Sequence, residues 1–392
     1  MQYVEQSAWH DQFIDLVHQI YGVGNIPLHR PVFSDVEKQY LSECIDSNFV
    51  SSVGARVTEF EQRIAAFTGA KHAIATMNGT AALHAAIEVA GVRRGDEVIS
   101  QAVTFIATCN ALTYAGATPL FVDVDLDSMG MSPSALRSFL EKNALKRDGT
   151  AWNKNTGRRI SACIPMHTFG FPCRIEEISK ICEEWDIALI EDAAESLGSY
   201  VNGRHTGTFG KFGTLSFNGN KVITTGGGGM IITNDENLAR RLKHLTTTAK
   251  IPHAFEFVHD EVGYNYRLPN LNAALGCAQV EKLKWMLEEK HAVAMKYLEF
   301  FSGLKVTIAQ PLRGTTVNYW LNAIVLSNRK ERDDFLHYAN SKGIMVRPIW
   351  RLMSELAMFK TCQHDGLENS HWLEERVVNL PSSVPFQWAH SA

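Results

Sequence analysis

The chain has no apolar run approaching the roughly 20 residues that a membrane helix requires. Its first twenty residues carry Glu5, Asp11 and Asp15 and lack a continuous apolar core, so no secretory signal peptide is expected. Basic clusters are also missing. A formal net charge of -4 offers no electrostatic footprint for nucleic acid, whose phosphates need grouped Lys and Arg. The seven cysteines (Cys44, Cys109, Cys163, Cys173, Cys182, Cys277 and Cys362) form no C-x-x-C pair. Their odd count and scatter suggest reduced, mostly core-filling thiols in a cytoplasmic protein. Fifteen histidines include no H-E-x-x-H, and nothing else reads as a metal site. Repeats, low-complexity tracts and flexible linkers are absent too.

What remains is an ordinary globular composition, 45% hydrophobic and 20% charged. At 392 residues the chain exceeds the size of one hydrophobic core, so two lobes are expected. Residues 1–25 place Trp9, Phe13, Leu16, Val17 and Ile20 at helical spacing, predicting a short helix packed on a neighbouring subunit. A second helix is predicted over 34–47, capped by Ser34-Asp35 with Glu37 reaching back. From about 70 to 235, strand-like runs (72–76, 97–100, 118–122, 160–166, 187–190, 214–217, 230–233) alternate with helical ones (80–91, 105–115, 132–143, 174–185). Continuous apolar strands separated by helices predict a mostly parallel α/β/α sheet covered on both faces. Helices at 236–249 and 271–304 follow, then a smaller α+β lobe with strands at 320–326 and 344–347 and helices at 330–342 and 369–377. The expected division is an N-terminal extension (1–30), a large domain (31–255) and a small C-terminal domain (256–392).

Three short constellations carry candidate chemistry. Asn78-Gly79-Thr80-Ala81-Ala82 follows a strand and opens a helix, where backbone N–H groups and the helix dipole make a phosphate seat; alone it also fits an ordinary capped helix. Glu191-Asp192 ends the strand IALIE, at the edge where parallel sheets bind ligands. A buried carboxylate there needs a cationic partner, and a pyridinium nitrogen is one candidate beside a purely structural role for Asp192. Ser216-Phe217-Asn218-Gly219-Asn220-Lys221 follows a further strand and precedes Gly226-Gly227-Gly228-Gly229. A desolvated lysine loses pKa and becomes an amine that forms Schiff bases, although one lysine alone reads as a surface charge. The glycines match neither a P-loop nor a dinucleotide fingerprint.

In this order and spacing, phosphate turn, strand-end Asp and strand-end Lys resemble the fold-type I pyridoxal-phosphate (PLP) enzymes. The wording resembles the DegT-type nucleotide-sugar aminotransferases more closely, through NGTAAL (78–83), GDEVI (95–99), TFIAT (104–108), GATPLFVDVD (116–125), IEDAAESLGS (190–199), SFNGNKVITTGGGGM (216–230) and GYNYRL (263–268). The resemblance implies that Lys221 carries the cofactor and that Asp192 partners its pyridine nitrogen. It implies that Phe105 stacks on the ring and that Gly79, Thr80 and Ser216 hold the phosphate. Asn265 matches a residue reaching the phosphate from the partner subunit, implying a homodimer with shared active sites. Arg267 becomes a candidate for an anionic group of the donor acid or sugar nucleotide, with an interface ion pair as the alternative.

Where the family commonly has Gln or His against the cofactor's phenolic oxygen, this chain has Glu195. An ionised carboxylate cannot donate a hydrogen bond there, so Glu195 is either protonated or accepts one from another group. The N-terminal extension, the TTGGGG run and RPIWRLMSEL (347–356) resemble a narrower branch serving legionaminic-acid-type and bacillosamine-type sugars. Its implied substrates are L-glutamate, released as 2-oxoglutarate, and a UDP-linked 2-acetamido-4-keto-2,6-dideoxy hexose. GDP- or dTDP-linked keto sugars are the alternatives. Family dehydratases replace the lysine with histidine, so Lys221 favours transamination. A non-catalytic binding regulator on the same fold is a further alternative.

Overall fold

The computed structural model describes residues 2–385, with side chains from Trp9 onward. Three helices lead the chain: α1 (Gln2–Tyr21), α2 (Asp35–Asp46) and α3 (Ala55–Thr68). The main alternation follows as β1 (His72–Thr76), α4 (Gly79–Val89), β2 (Glu97–Gln101), α5 (Ile106–Tyr114), β3 (Thr118–Val122) and α6 (Pro133–Asn143). A hairpin of β4 (Ala144–Arg147) and β5 (Thr150–Asn153) precedes β6 (Arg159–Ile164), α7 (Ile175–Glu184) and β7 (Ala188–Asp192). Short strands β8 (Tyr200–Val201) and β9 (Arg204–His205) lead to β10 (Phe212–Ser216), β11 (Gly229–Thr233) and α8 (Glu236–Thr246). A second hairpin, β12 (Lys250–Ile251) and β13 (Val258–His259), precedes the long α9 (Asn270–Phe301). The chain ends in β14 (Thr307–Ile308), β15 (Thr315–Thr316), β16 (Asn322–Val325), α10 (Arg329–Ser341), β17 (Arg347–Pro348), α11 (Glu368–Glu374) and β18 (Val377–Leu380).

The large sheet runs β1-β11-β10-β7-β6-β2-β3. Strands β10, β7, β6, β2 and β3 are parallel neighbours in that order, and every residue of β2 and β7 is buried. Burial on both faces explains why these strands read as near-continuous apolar runs. The parallel order breaks at β11, which runs antiparallel to both β10 and β1. No crossover helix separates β10 from β11, and a strand returning through a loop must reverse direction. A smaller antiparallel sheet, β14-β16-β18-β17, forms the second layer system. The strand expected at 344–347 shrinks to Arg347–Pro348, because Ile344 and Met345 pair instead with Ile26.

The capping box is present: the Ser34 N–H donates to Glu37 Oε2 at 2.7 Å. The expectation that the first helix packs on a neighbouring subunit is corrected. Phe13, Val17 and Ile20 of α1 instead bury against Tyr297, Phe301, Phe335 and Ile344 of the same chain. α9 links both regions. Its first half packs on α2 and α3, whereas Val293, Tyr297 and Phe301 join the cluster under the small sheet. Six cysteines are buried and all seven are unbridged, as their scatter suggested. Among the described residues no helix is long and apolar enough to cross a membrane.

Candidate active site

Sheet register assembles the site. Gly229 pairs with Thr76 on one side and with Ser216 on the other, and Thr214 of β10 pairs with Asp192 of β7. The end of β1, the start of β11 and the ends of β10 and β7 therefore share one edge of the sheet. Asn78 caps α4 at that edge, its side chain accepting the Ala81 N–H at 2.8 Å. The turn is packed tightly enough to exclude side chains. A Cβ on Gly79 would sit 3.0 Å from Ser216 Cβ, and one on Gly229 would sit 2.3 Å from the Asn78 carbonyl oxygen. The helix start at Gly79 and Thr80 is left partly accessible beside the Ser216 hydroxyl, an arrangement able to hold a phosphate.

Two buried carboxylates lie farther along the edge, each 3% exposed. Asp192 accepts the Thr108 hydroxyl at 2.7 Å and the Ala194 N–H at 3.2 Å. Burial pushes its pKa up; these two donors and the charge of Lys221 pull against that. Among the described residues Asp192 has no cationic side chain within salt-bridge distance. Its neighbour Glu191 is better served, accepting the N–H groups of Gly207, Phe209 and Gly210 and facing His167 Nε2 at 3.1 Å. Asp192 thus has room for a cation, whereas Glu191 is a structural anchor.

Glu195 faces the lysine. Its Oε1 lies 3.3 Å from Lys221 Nζ, and its Oε2 accepts the Phe169 N–H at 2.9 Å. Phe169 reaches this position with a φ of 58°, unusual for a bulky residue and held by the surrounding packing. Burial pushes the Glu195 carboxyl up to about 7, against the opposing charge of Lys221. That value makes both of its protonation forms available near neutrality. Phe105, at the start of α5, is 50% exposed, an open aromatic face close to the sheet edge. These groups fit pyridoxal phosphate: a phosphate seat, a carboxylate lacking a cation, an exposed ring and an amine.

The segment with Asn265 and Arg267 runs beside the phosphate turn. Arg267 bridges to Thr76, Asn265 bridges to Thr247, and the Met77 N–H donates to the Tyr266 carbonyl at 2.8 Å. Arg267 Nε donates to Asn265 Oδ1 at 2.9 Å, and Arg267 makes no salt bridge to a described carboxylate.

Residues 32–390 match the DegT/DnrJ/EryC1/StrS aminotransferase family. The chain belongs to that family. It is 37% identical over 335 residues to EpsN of Bacillus subtilis, named as a pyridoxal phosphate-dependent aminotransferase, covering 85% of this chain and 84% of EpsN. It is 34% identical to the GDP-perosamine synthase of Escherichia coli O157:H7, covering 91% of this chain and 93% of that enzyme. A DegT/DnrJ/EryC1/StrS aminotransferase from Brucella abortus superposes with a TM-score of 0.81 at 27% identity, over 90% of this chain and 91% of the other. The protein is a pyridoxal-phosphate-dependent aminotransferase of the fold-type I class.

Three aromatic or hydroxyl side chains of this aminotransferase escaped the sequence reading. Thr108 had a signal, since it lies one helical turn after Phe105 in TFIAT. Trp320 had none: it reaches the Lys221 amine from the small-sheet region, its ring centroid 3.9 Å from Nζ. Trp350 likewise comes from a distant segment, its ring 4.9 Å from Phe169 and 6.5 Å from Phe105.

Proposed function

We propose that this aminotransferase moves the amino group of L-glutamate onto a nucleotide-linked 4-keto-6-deoxy sugar, giving a 4-amino sugar nucleotide and 2-oxoglutarate. The observation that carries the reading is the meeting of Lys221 with Glu195 beside the uncompensated carboxylate of Asp192. Pyridoxal phosphate, when bound, supplies an electron sink that accepts an amino group from one substrate and passes it to another.

The chain's residues divide the remaining work. Lys221 holds the cofactor covalently; once released, its Nζ takes the α-proton of the donor and hands it on. Asp192 sets its negative charge against the protonated pyridine nitrogen. The N–H groups of Gly79 and Thr80 and the Ser216 hydroxyl hold the phosphate, and Phe105 covers the ring face. Arg267 offers a planar fork to a carboxylate or diphosphate. Asn265 serves the neighbouring subunit's phosphate in a homodimer with shared sites. Its own exposure supports that role, and so do Phe255, Phe257 and Val262 nearby, which are 83%, 81% and 86% exposed.

For the sugar, the stretch Arg347–Leu356 supports a UDP-linked 2-acetamido-2,6-dideoxy-4-keto hexose of the legionaminic-acid or bacillosamine type. A GDP-linked keto sugar is the second reading, supported by the GDP-perosamine synthases of Escherichia coli O157:H7 and Vibrio cholerae at 34% and 33% identity. Incubation with glutamate and a panel of UDP-, GDP- and dTDP-4-keto sugars, read by mass spectrometry, tests both. We expect an amine product from one nucleotide class and none from Lys221→Ala. If no sugar is aminated, the acceptor lies outside these nucleotide-sugar classes, and if glutamate also leaves the cofactor absorbance unchanged, L-glutamate is not the donor.

A further inference from the structure

Two groups meet the Lys221 amine, and they come from distant parts of the chain. Glu195 follows β7 and Trp320 precedes β16. Both are held firmly, and through a common residue. The Asn318 side-chain amide donates to the Glu195 carbonyl at 2.8 Å, and Asn318 Oδ1 accepts the Trp320 N–H at 2.9 Å. The Trp320 indole N–H donates to the Asn220 carbonyl at 2.6 Å, and the Trp320 carbonyl accepts from the buried Lys290 amine at 3.2 Å. Gly170 makes room for this knot, since a Cβ there would lie 1.9 Å from Asn318 Oδ1.

We propose that Glu195 and Trp320 form the resting site of the Lys221 ammonium whenever the lysine is not joined to the cofactor, which makes Trp320 a positioning residue. An aromatic face and a carboxylate both attract an ammonium much more strongly than a neutral amine. Both partners therefore favour the form that Nζ takes after accepting the donor's α-proton, with Glu195 balancing the charge. When the proton is handed on, the neutral amine loses the attraction of the ring and the ionic part of its pairing with Glu195, keeps only a weaker N–H hydrogen bond, and is freer to move. This use in proton transfer rests on the transamination reading; the resting site does not.

The surroundings show why partners are needed. Lys221 is only 13% exposed at its side chain, so little water solvates an ammonium. His29, before α2, and Lys290, on α9, add positive character nearby when charged. Burial holds both back from protonation, lowering His29 well below its ordinary value and pushing Lys290 down to about 7. Asp192, at the end of β7, contributes negative charge, and His167 stands behind it paired with Glu191. Glu195 and Trp320 are the two groups directly on Nζ.

The test uses the full chain stripped of cofactor, with reductive methylation of Lys221 followed by peptide mass spectrometry across pH 6 to 10. Wild type is compared with Trp320→Phe, Trp320→Met and Glu195→Gln. We expect the pH midpoint of labelling to fall by about half a unit or more in Trp320→Met and Glu195→Gln, and to stay near wild type in Trp320→Phe. Faster labelling at every pH with an unmoved midpoint would mean that the ring only shields the amine, and would overturn the proposal. The two losses sit at separate residues, so a variant that fails to fold leaves the other decisive. Because no cofactor or sugar takes part, failure of the sugar panel leaves this result untouched.

Discussion

Glu191 and Asp192 are adjacent carboxylates, both buried, yet their surroundings differ sharply. Glu191 is saturated by three backbone N–H groups and His167, whereas Asp192 has one hydroxyl and one N–H. Removing the charge of Asp192 should therefore act on chemistry. Asp192→Asn is expected to lower kcat by about a hundredfold or more with far-UV circular dichroism unchanged. Thr108→Val removes one hydrogen bond to a charged group, at about 1.5–3 kcal/mol, so a loss of cofactor affinity of about ten- to a hundredfold is expected in a fluorescence titration. A Thr108→Val enzyme weaker than Asp192→Asn would contradict this assignment of roles.

Glu195 gives a pH prediction with a definite sign. Burial raises its carboxyl to about 7 in the folded chain, from an ordinary value near 4.5. Between those values the folded state holds more protons than the unfolded one, so this group's contribution to stability falls as pH rises. For the cofactor-free protein, urea midpoints should decline between pH 5 and pH 8 more steeply in wild type than in Glu195→Gln. Parallel declines would show that the carboxyl titrates at its ordinary value when folded.

At the scale of elements, the start of α4 works because β11 and β10 press glycine and serine against it. Gly79→Ala places a methyl 3.0 Å from Ser216 Cβ, a contact that a small shift of the serine can relieve. Gly229→Ala drives a methyl to 2.3 Å from the backbone oxygen of Asn78, and no side chain can yield there. Cofactor retention after gel filtration should thus drop modestly in Gly79→Ala and far more in Gly229→Ala. The reverse order would mean that the turn is not the phosphate seat.

Much of this element pattern was legible. The parallel core strands, the capping box at Ser34 and the helix starting at Gly79 follow from apolar runs and capping residues, which are local signals. α3 was equally readable, since Val57, Phe60 and Ile64 repeat at helical spacing, but it went unpredicted. The reversal of β11 also had a local signal, the lack of any helical pattern between 217 and 229, but the direction of that strand went unpredicted. The seating of α1 was not readable, because its apolar stripe states that it is covered but not by what. The same limit hid Trp320. Its contact with Lys221 joins segments a hundred positions apart and depends on the Asn318 knot, so nothing beside either residue announces it.

At the scale of the whole molecule, one face carries the segment with Asn265 and Arg267 together with an exposed apolar hairpin. Large apolar side chains such as Phe255 and Phe257 standing in water fit a surface covered by a second copy. If Asn265 serves the partner's site, each site takes Lys221 from one subunit and Asn265 from the other. A heterodimer of Lys221→Ala and Asn265→Ala then contains one doubly impaired site and one intact site. Random reassembly of equal amounts should restore about a quarter of wild-type activity, as half the dimers are mixed and each keeps one good site. Neither parent alone should approach that level. Mixing that restores nothing, with exchange verified by mass spectrometry, would place Asn265 in the site of its own chain and remove the shared-site reading.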